Sequence, residues 1–154
     1  MSKQKHLTLK TTHMVRDTCL CLATQRAARA LSRRFDDAFR PFGITSGQFS
    51  LMMALSRPAP WRIGELADML AMDRTTITAN LKPLERDGLI SVEVSKGDKR
   101  SRDVTLTSKG RTLLGHALPI WKETHRQVAN KLAGDPASLR ADLASLAPAY
   151  SADG

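Results

Sequence analysis

Cysteine is scarce in this sequence, which has only two, Cys19 and Cys21. A spacing of two residues corresponds to about 200° of rotation on a helix, so their side chains point away from each other and cannot form a disulfide within one chain. A disulfide-stabilised scaffold is therefore excluded. Low cysteine content is typical of a reducing compartment, and we expect a cytoplasmic protein.

Long apolar runs are also missing. The N-terminal segment MSKQKHLTLKTTHM has no apolar stretch of the kind found in signal peptides. No later run approaches the roughly 18 residues that a membrane-spanning helix requires. The pattern predicts a soluble chain with no membrane partner.

The sequence contains none of the familiar catalytic patterns, neither a Gly-x-Ser-x-Gly elbow nor a phosphate-binding loop nor a His-Glu-x-x-His pair. The histidines are scattered, because His116 and His125 fall on opposite sides of one predicted helix and His6 and His13 lie near the N-terminus. This spacing disfavours a metal site within one chain. We expect a protein that is not an enzyme and that has no metal and no cofactor.

Acidic residues are too few to balance the basic ones. The chain has 24 Lys and Arg against 15 Asp and Glu, a formal net charge of +9. Residues 1–40 and 57–111 hold the excess, whereas residues 112–154 are balanced. A charge of this sign favours a polyanionic partner, either nucleic acid or an anionic membrane face, and does not by itself choose between them.

The 154 residues are enough for one domain. We interpret residues 1–13 as a flexible basic tail and residues 14–154 as a single domain. Helical spacing of apolar residues predicts a long first helix over 14–40 and a second, uncharged and buried, that is capped by Thr45 or Ser46. Two more helices follow residue 106, one capped by Thr107 or Ser108 and kinked at Pro119, the other starting at Asp135.

The middle of the chain predicts a helix-turn-helix. IGELADML forms a short helix, residues 71–73 form a turn, and Asp73 is a good N-cap for the helix that follows. In that second helix Ile77, Leu81 and Leu84 cluster within about 60° and form the buried stripe. Pro83 removes one backbone hydrogen bond, so we expect a kink after the first two turns.

The opposite face of this second helix carries Thr75, Ala79, Lys82 and Arg86, flanked by Thr78. Hydroxyls, a methyl group and two cations suit the DNA major groove, where they can contact base edges, thymine methyls and phosphates. An ordinary solvated helix face is the alternative interpretation.

After Gly88 the apolar period changes to two, at Val92 and Val94 and again at Val104 and Leu106. The segment SKGDKRSR between them is a basic turn, so the pattern predicts a β-hairpin, or wing, next to the helix-turn-helix. The basic side chains predicted to meet phosphates or a minor groove are Lys96, Lys99, Arg100 and Arg102. Asp98 is expected to orient an arginine through a charge-assisted bond.

The fold class that follows is mainly α with a small β-hairpin wing, in which residues 57–106 form a winged helix-turn-helix lobe that binds DNA. Residues 14–56 and 107–150 supply long amphipathic helices with more apolar surface than one lobe can cover, which favours a homodimer. Two other functions fit the same fold: a winged-helix module that binds protein, and a non-specific architectural DNA-binding module.

The segments IGELADMLAMDRTTIT, LERDGLI, DKRSR and VTLTSKG, in this order, resemble the MarR family of bacterial transcription regulators. The resemblance covers nearly the whole chain. It implies an obligate dimer that binds a palindromic operator in double-stranded DNA, usually as a repressor. It also implies that Arg74, Thr75, Thr76 and Asn80 lie at or near the DNA, and that Arg100 is a wing-tip arginine paired with Asp98.

The resemblance further implies a signal that releases the DNA. One is a small aromatic or phenolic effector, with Trp61 and Trp121 as candidate lining residues, although core packing is the favoured interpretation for both. The other is an oxidant, because Cys21, close to Cys19, aligns with the reactive cysteine of the peroxide-sensing branch. The tyrosines of that branch are missing in TSGQF, and many relatives have basic residues where Ala79 and Pro83 stand. The operator therefore cannot be transferred from them.

Overall fold

The computed structural model describes residues 7–148, which form seven α-helices, one 3-10 turn and three strands. The helices are α1 (Leu9–Thr18), α2 (Leu20–Phe39), α3 (Ser46–Ala54), α4 (Ile63–Met69), α5 (Arg74–Arg86), α6 (Ser108–Ala129) and α7 (Pro136–Ser145). The 3-10 turn is Arg40–Phe42, and the strands are β1 (Trp61–Arg62), β2 (Ile90–Val94) and β3 (Arg102–Leu106). The predicted fold class, mainly helical with a small wing, is confirmed.

The N-terminal region differs from the prediction of a tail followed by one long helix. Helix α1 already begins at Leu9, where the Thr8 hydroxyl accepts the Thr11 N–H at 3.2 Å. It ends at Thr18, and Cys19 has an extended backbone that separates α1 from α2. The tail prediction is wrong for residues 9–13, and its residues 1–6 lie outside the described part. The sequence signal that was missed is Thr8, a residue type that commonly caps the start of a helix.

The wing is part of a three-stranded antiparallel sheet in the order β1-β3-β2. Val104 of β3 lies between Val92 of β2 and Trp61 of β1. The hairpin was predicted, but β1 was not, because two residues are too few to show a period of two. Strand β1 fixes the edge of the sheet directly to the start of α4, so the wing and the helix-turn-helix are one lobe.

One hydrophobic core runs through the molecule. Phe39 of α2 and Phe49 of α3 stack with ring centroids 4.5 Å apart. They continue into Leu66 of α4, Ile77 of α5 and Val104 of β3, each at most 5% exposed. The uncharged α3 is buried as predicted, and its Thr45 and Gln48 form a reciprocal capping box. In contrast, α1 and α7 have no buried residue.

Two prolines lie inside helices. Pro83 is within α5 and Pro119 is within α6, and each helix is continuous through its proline. Helix α5 is therefore one element from its cap to Arg86. Among the described residues no helix is both long and apolar enough to cross a bilayer.

Candidate nucleic-acid interface

Helix α5 begins at a strong N-cap. The Asp73 carboxylate accepts the Thr76 N–H at 2.8 Å and the Thr76 hydroxyl at 2.7 Å. Both bonds favour the charged form, so the pKa of Asp73 lies below its usual value. The turn before it places Ala71 at φ 51°, a left-handed conformation that usually favours glycine. The predicted cap is confirmed, and it fixes the residue at which α5 begins.

The rotational position of α5 is the predicted one. Ile77, Leu81 and Leu84 are between 0% and 3% exposed and pack into the core. The residues of the opposite face, which we call the recognition stripe, are all exposed: Thr75, Ala79, Lys82 and Arg86. Thr78 beside the stripe is exposed as well, and Asn80 is half-buried.

The hydroxyl groups at the start of α5 are not equivalent. Thr76 donates its hydroxyl to Asp73, and Thr78 donates its hydroxyl to the Arg74 carbonyl at 2.8 Å. Within residues 7–148 the Thr75 hydroxyl has no hydrogen-bond partner. Thr75 is therefore the hydroxyl that can both donate to and accept from an external group without breaking an internal bond.

The cations of α5 differ in the same way. Arg86 forms an exposed ion pair with Asp87, with Nε and Oδ1 3.1 Å apart. Lys82 has no ion-pair partner in the described part of the chain, and neither has Arg74, whose guanidinium lies over Gly64 of α4. Because Lys82 has no ion-pair partner within the described chain, it can bind a phosphate without breaking an existing ion pair.

The turn of the wing is organised by Asp98. Its carboxylate accepts the Arg100 backbone N–H and the Ser101 hydroxyl, both at 2.9 Å. These two bonds, followed by the nearby charge of Arg62, hold the pKa of Asp98 below its usual value. Among the described residues Asp98 therefore contacts Arg100 through its backbone N–H and not through its guanidinium. The short aspartate side chain satisfies the main chain of its own turn first.

As a result, the wing tip presents basic side chains to solvent. Lys96, Lys99 and Arg100 are exposed, while the Arg102 guanidinium makes long contacts to the carbonyls of Lys99 at 3.5 Å and Ser101 at 3.4 Å. Arg62 was missed in the sequence because β1 was missed. It lies on the strand next to β3, opposite Asp103, and brings another exposed cation to the lobe.

Other cations of this region have internal roles instead. Lys109 donates to the Asp87 carbonyl at 2.7 Å and Arg111 to the Ser56 carbonyl at 3.0 Å. Each of them satisfies a carbonyl near the end of a helix, where a cation is also favoured by the helix dipole. The Arg57 guanidinium lies 3.6 Å from the centre of the Trp61 ring. The basic excess of residues 57–111 is thus divided between internal anchors and an outward-facing set.

The candidate effector residues separate in the structure. Trp61 is 5% exposed, and its indole N–H donates to the Ala54 carbonyl at 2.9 Å, so it belongs to the core. Trp121 is half-buried and helps to line an apolar cavity of about 350 Å³. The lining residues are Phe49, Ser50, Met53, Ala54, Met69, Leu70, Leu118 and Trp121. Of the two tryptophans, therefore, Trp121 borders a space that a small molecule can enter.

The cysteines do not share a helix, contrary to the prediction. Cys19 is half-buried and caps α2, where its sulfur accepts the Leu22 N–H at 3.4 Å. Cys21 is exposed in the first turn of α2, and its sulfur accepts the Gln25 amide N–H at 3.2 Å. The helical rotation of about 200° therefore does not apply to this pair, but both cysteines are free thiols.

Comparisons with known proteins agree with this architecture. The MarR family model matches residues 44–101. A crystal structure of the M. tuberculosis transcriptional regulator MosR in complex with DNA superimposes with a TM-score of 0.77 at 39% identity, covering 83% of this chain and 92% of that one. The organic hydroperoxide resistance transcriptional regulator of Bacillus subtilis is 27% identical over 70% of this chain and 74% of its own length.

The transcriptional activatory protein BadR of Rhodopseudomonas palustris is 35% identical over 56% of this chain, which spans only 51% of BadR. All three relatives are named as regulatory proteins, in agreement with the expectation that the chain is not an enzyme. The family model covers the helix-turn-helix and the first strand of the wing, and the MosR match extends over the outer helices. The chain therefore belongs to the MarR family of winged-helix transcriptional regulators.

Proposed function

We propose that the chain is a sequence-specific regulator that binds double-stranded DNA as a homodimer, at a palindromic operator, and represses transcription. The observation that carries the proposal is the outward-facing set of unpartnered groups on one lobe. The Thr75 hydroxyl, the Ala79 methyl and the Lys82 ammonium project from α5, and Lys96, Lys99 and Arg100 project from the adjacent wing. These cations are available to bind the phosphates of DNA, and the hydroxyl and methyl groups are available to contact its base edges.

The two parts of this surface have different tasks. The recognition stripe enters the major groove, where Thr75 and Ala79 read base edges and thymine methyls and Lys82 meets phosphate or guanine. The wing lies along the backbone and supplies affinity rather than sequence preference, because phosphates are the same at every step. The similarity to MosR, solved in complex with DNA and 39% identical, supports DNA as the partner of this lobe.

A dimer accounts for the apolar surface outside the lobe. Large hydrophobic side chains of α1, α2 and α7 are exposed, among them Leu9 at 71%, Leu20 at 71% and Leu143 at 43%. Solvent exposure of so many apolar groups is costly, and a second copy of the same helices buries them symmetrically. Two lobes held in this way would meet half-sites about one helical turn apart, roughly 34 to 36 Å.

Release of DNA would start at the apolar cavity beside Trp121. A small aromatic or phenolic molecule fits its size and lining. The cavity borders α6, and the start of α6 is bonded to the end of α5: Lys109 donates to the Asp87 carbonyl and Thr107 to the Gly88 carbonyl, both at 2.7 Å. A shift of α6 caused by the ligand would therefore move α5 against the DNA.

Oxidation is the second candidate signal, and it is favoured by the exposure of Cys21 and by the named role of the Bacillus subtilis relative. In this alternative Cys21 reacts and the half-buried Cys19, two residues away, is the nearest thiol in sequence. BadR is named as an activatory protein, so repression in this chain is inferred from the family rather than from that relative.

The experiment selects operator sites from a random duplex pool and titrates Thr75→Ala, Lys82→Ala and Arg100→Ala, with Lys122→Ala as a charge-matched control on α6. We expect the first two to weaken operator binding and Arg100→Ala to weaken all duplexes about equally, while every variant stays dimeric. Log affinity should fall with log salt by about 0.9 per phosphate contact.

Three outcomes would contradict the proposal. Unchanged binding in all three variants would mean that another face meets DNA. No salt-dependent binding to any duplex would favour a protein-interaction module, and equal affinity for operator and random duplex would favour an architectural one. Repeating the titration with benzoate, and with a hydroperoxide on wild type and Cys21→Ser, identifies which signal releases the DNA.

A further inference from the structure

The Arg74 guanidinium is packed against a glycine. A Cβ placed on Gly64 of α4 would lie 2.7 Å from Nη2, 3.2 Å from Cζ and 3.5 Å from Nε of Arg74. Real Cβ atoms do not approach heavy atoms as closely as 2.7 Å, so the guanidinium occupies space that any other residue at position 64 would take. The absence of a side chain at position 64 of α4 thus lets the Arg74 side chain lie across α4, and a methyl group there would displace its guanidinium.

This guanidinium is positioned but unpaired. Within residues 7–148 it has no ion-pair or hydrogen-bond partner, although arginine has five N–H donors. Two other arginines of the lobe differ, because Arg57 lies on the Trp61 ring with Glu65 3.9 Å away and Arg86 is paired with Asp87. A guanidinium that lies over α4 with unused donors, at an exposed helix start, is suited to an external oxyanion, and its planar fork matches a phosphate.

We propose that Gly64 is a positioning residue for DNA binding: it lets Arg74 lie across α4, in the orientation in which its guanidinium binds a backbone phosphate beside the recognition stripe. This inference rests on the proposed function. A long side chain that is already held in its bound position loses less conformational freedom on binding than a free one. Gly64 therefore contributes to affinity without touching the DNA.

The test compares Gly64→Ala, Arg74→Ala and the double variant in a salt titration on the selected operator. Gly47→Ala is the control, because Gly47 is also helical and its Cβ would meet only the Thr45 hydroxyl at 3.9 Å. We expect Gly64→Ala and Arg74→Ala each to lower affinity by about tenfold, as for loss of one charged hydrogen-bonding contact. The salt slope should fall by about 0.9, and the double variant should equal Arg74→Ala.

Alanine favours a helix over glycine, so the thermal midpoint of Gly64→Ala should equal or exceed that of wild type. Wild-type affinity and slope in Gly64→Ala would overturn the inference. So would further weakening by Gly64→Ala in the Arg74→Ala background, since the methyl group would then act on something other than Arg74. If Arg74→Ala binds as wild type does, the inference fails while the proposed function stands; if wild type binds no duplex, both fail.

Discussion

Single residues decide how closely the lobe can approach the outer helices, and Gly110 is the clearest case. A Cβ on Gly110, in the first turn of α6, would overlap the carbonyl oxygen of Leu89 and lie 2.7 Å from Leu106 Cδ1. The neighbouring Thr107 donates its hydroxyl to the Gly88 carbonyl at 2.7 Å and its backbone N–H to the Leu89 carbonyl at 3.1 Å. Here the backbone between α5 and β2 lies directly against α6.

We therefore expect Gly110→Ala to destabilise the protein by about 1 to 3 kcal/mol, as overpacking of a fixed backbone contact does. Gly115→Ala is the matched control in the same helix, because its Cβ meets nothing within 4 Å, and it should stabilise by up to about 1 kcal/mol. Urea unfolding of both variants measures the difference. Equal midpoints would show that the backbone of residue 89 moves away at little cost.

The sequence alone could not reveal that glycine is required at position 110, and the same is true of other contacts between distant residues. SKG was recognised as part of a family motif, but a glycine is needed only because Leu89, far away in the chain, packs there. The same holds for Arg74 on Gly64 and for the charge of Arg62 near Asp98. Contacts between distant residues leave no local periodicity, whereas the Asp73 cap is local and was predicted.

Among the elements, those with long periodic patterns were predicted and those with short or interrupted ones were not. Helices α3 to α7 and the hairpin follow from apolar spacing, turn residues and caps. The break at Cys19 was missed because the apolar pattern continues across it. Strand β1 was missed because its pairing with β3 is set by the tertiary structure rather than by its two residues.

The Asp73 cap makes a prediction about pH for α5. Because the pKa of Asp73 is lowered in the folded chain, its contribution to stability is present above its ordinary value of 3.8 and is lost as the pH falls through the lowered value. Asparagine caps a helix about as well and does not titrate. Asp73→Asn should therefore lose less stability than wild type when the pH drops below 3.8.

Urea midpoints of wild type and Asp73→Asn between pH 7 and 3, at one protein concentration, measure this difference. Asp98 and Asp135 also have lowered pKa values and remain in both proteins, so the variant should reduce the acid sensitivity without abolishing it. Parallel curves at all pH values would show that the cap does not depend on its charge.

At the scale of the whole molecule, we expect the apolar surface of the outer helices and the basic surface of the lobe to face different partners. Outside the lobe, Leu139 and Leu143 of α7 are 42% and 43% exposed, its C-cap residue Leu146 is 64% exposed, and α7 buries none of its residues in its own chain. Inside the lobe the exposed surface is basic and polar. A helix that packs so little against its own chain is stable only if its apolar side chains are covered.

The last prediction therefore concerns the dimer, because dimerisation through the outer helices should determine how strongly the two lobes bind DNA. In Leu143→Glu/Leu146→Glu, sedimentation equilibrium should show one chain per particle instead of two, because burying the added carboxylates in an apolar interface is costly. Operator affinity should fall by at least about 100-fold, since the two lobes no longer bind as one unit. Val94→Glu, a similar change at a 52% exposed site in the wing, should leave the dimer intact. A wild-type protein that sediments as a single chain would contradict the dimer, whereas a dimeric double variant would place the interface elsewhere than on α7.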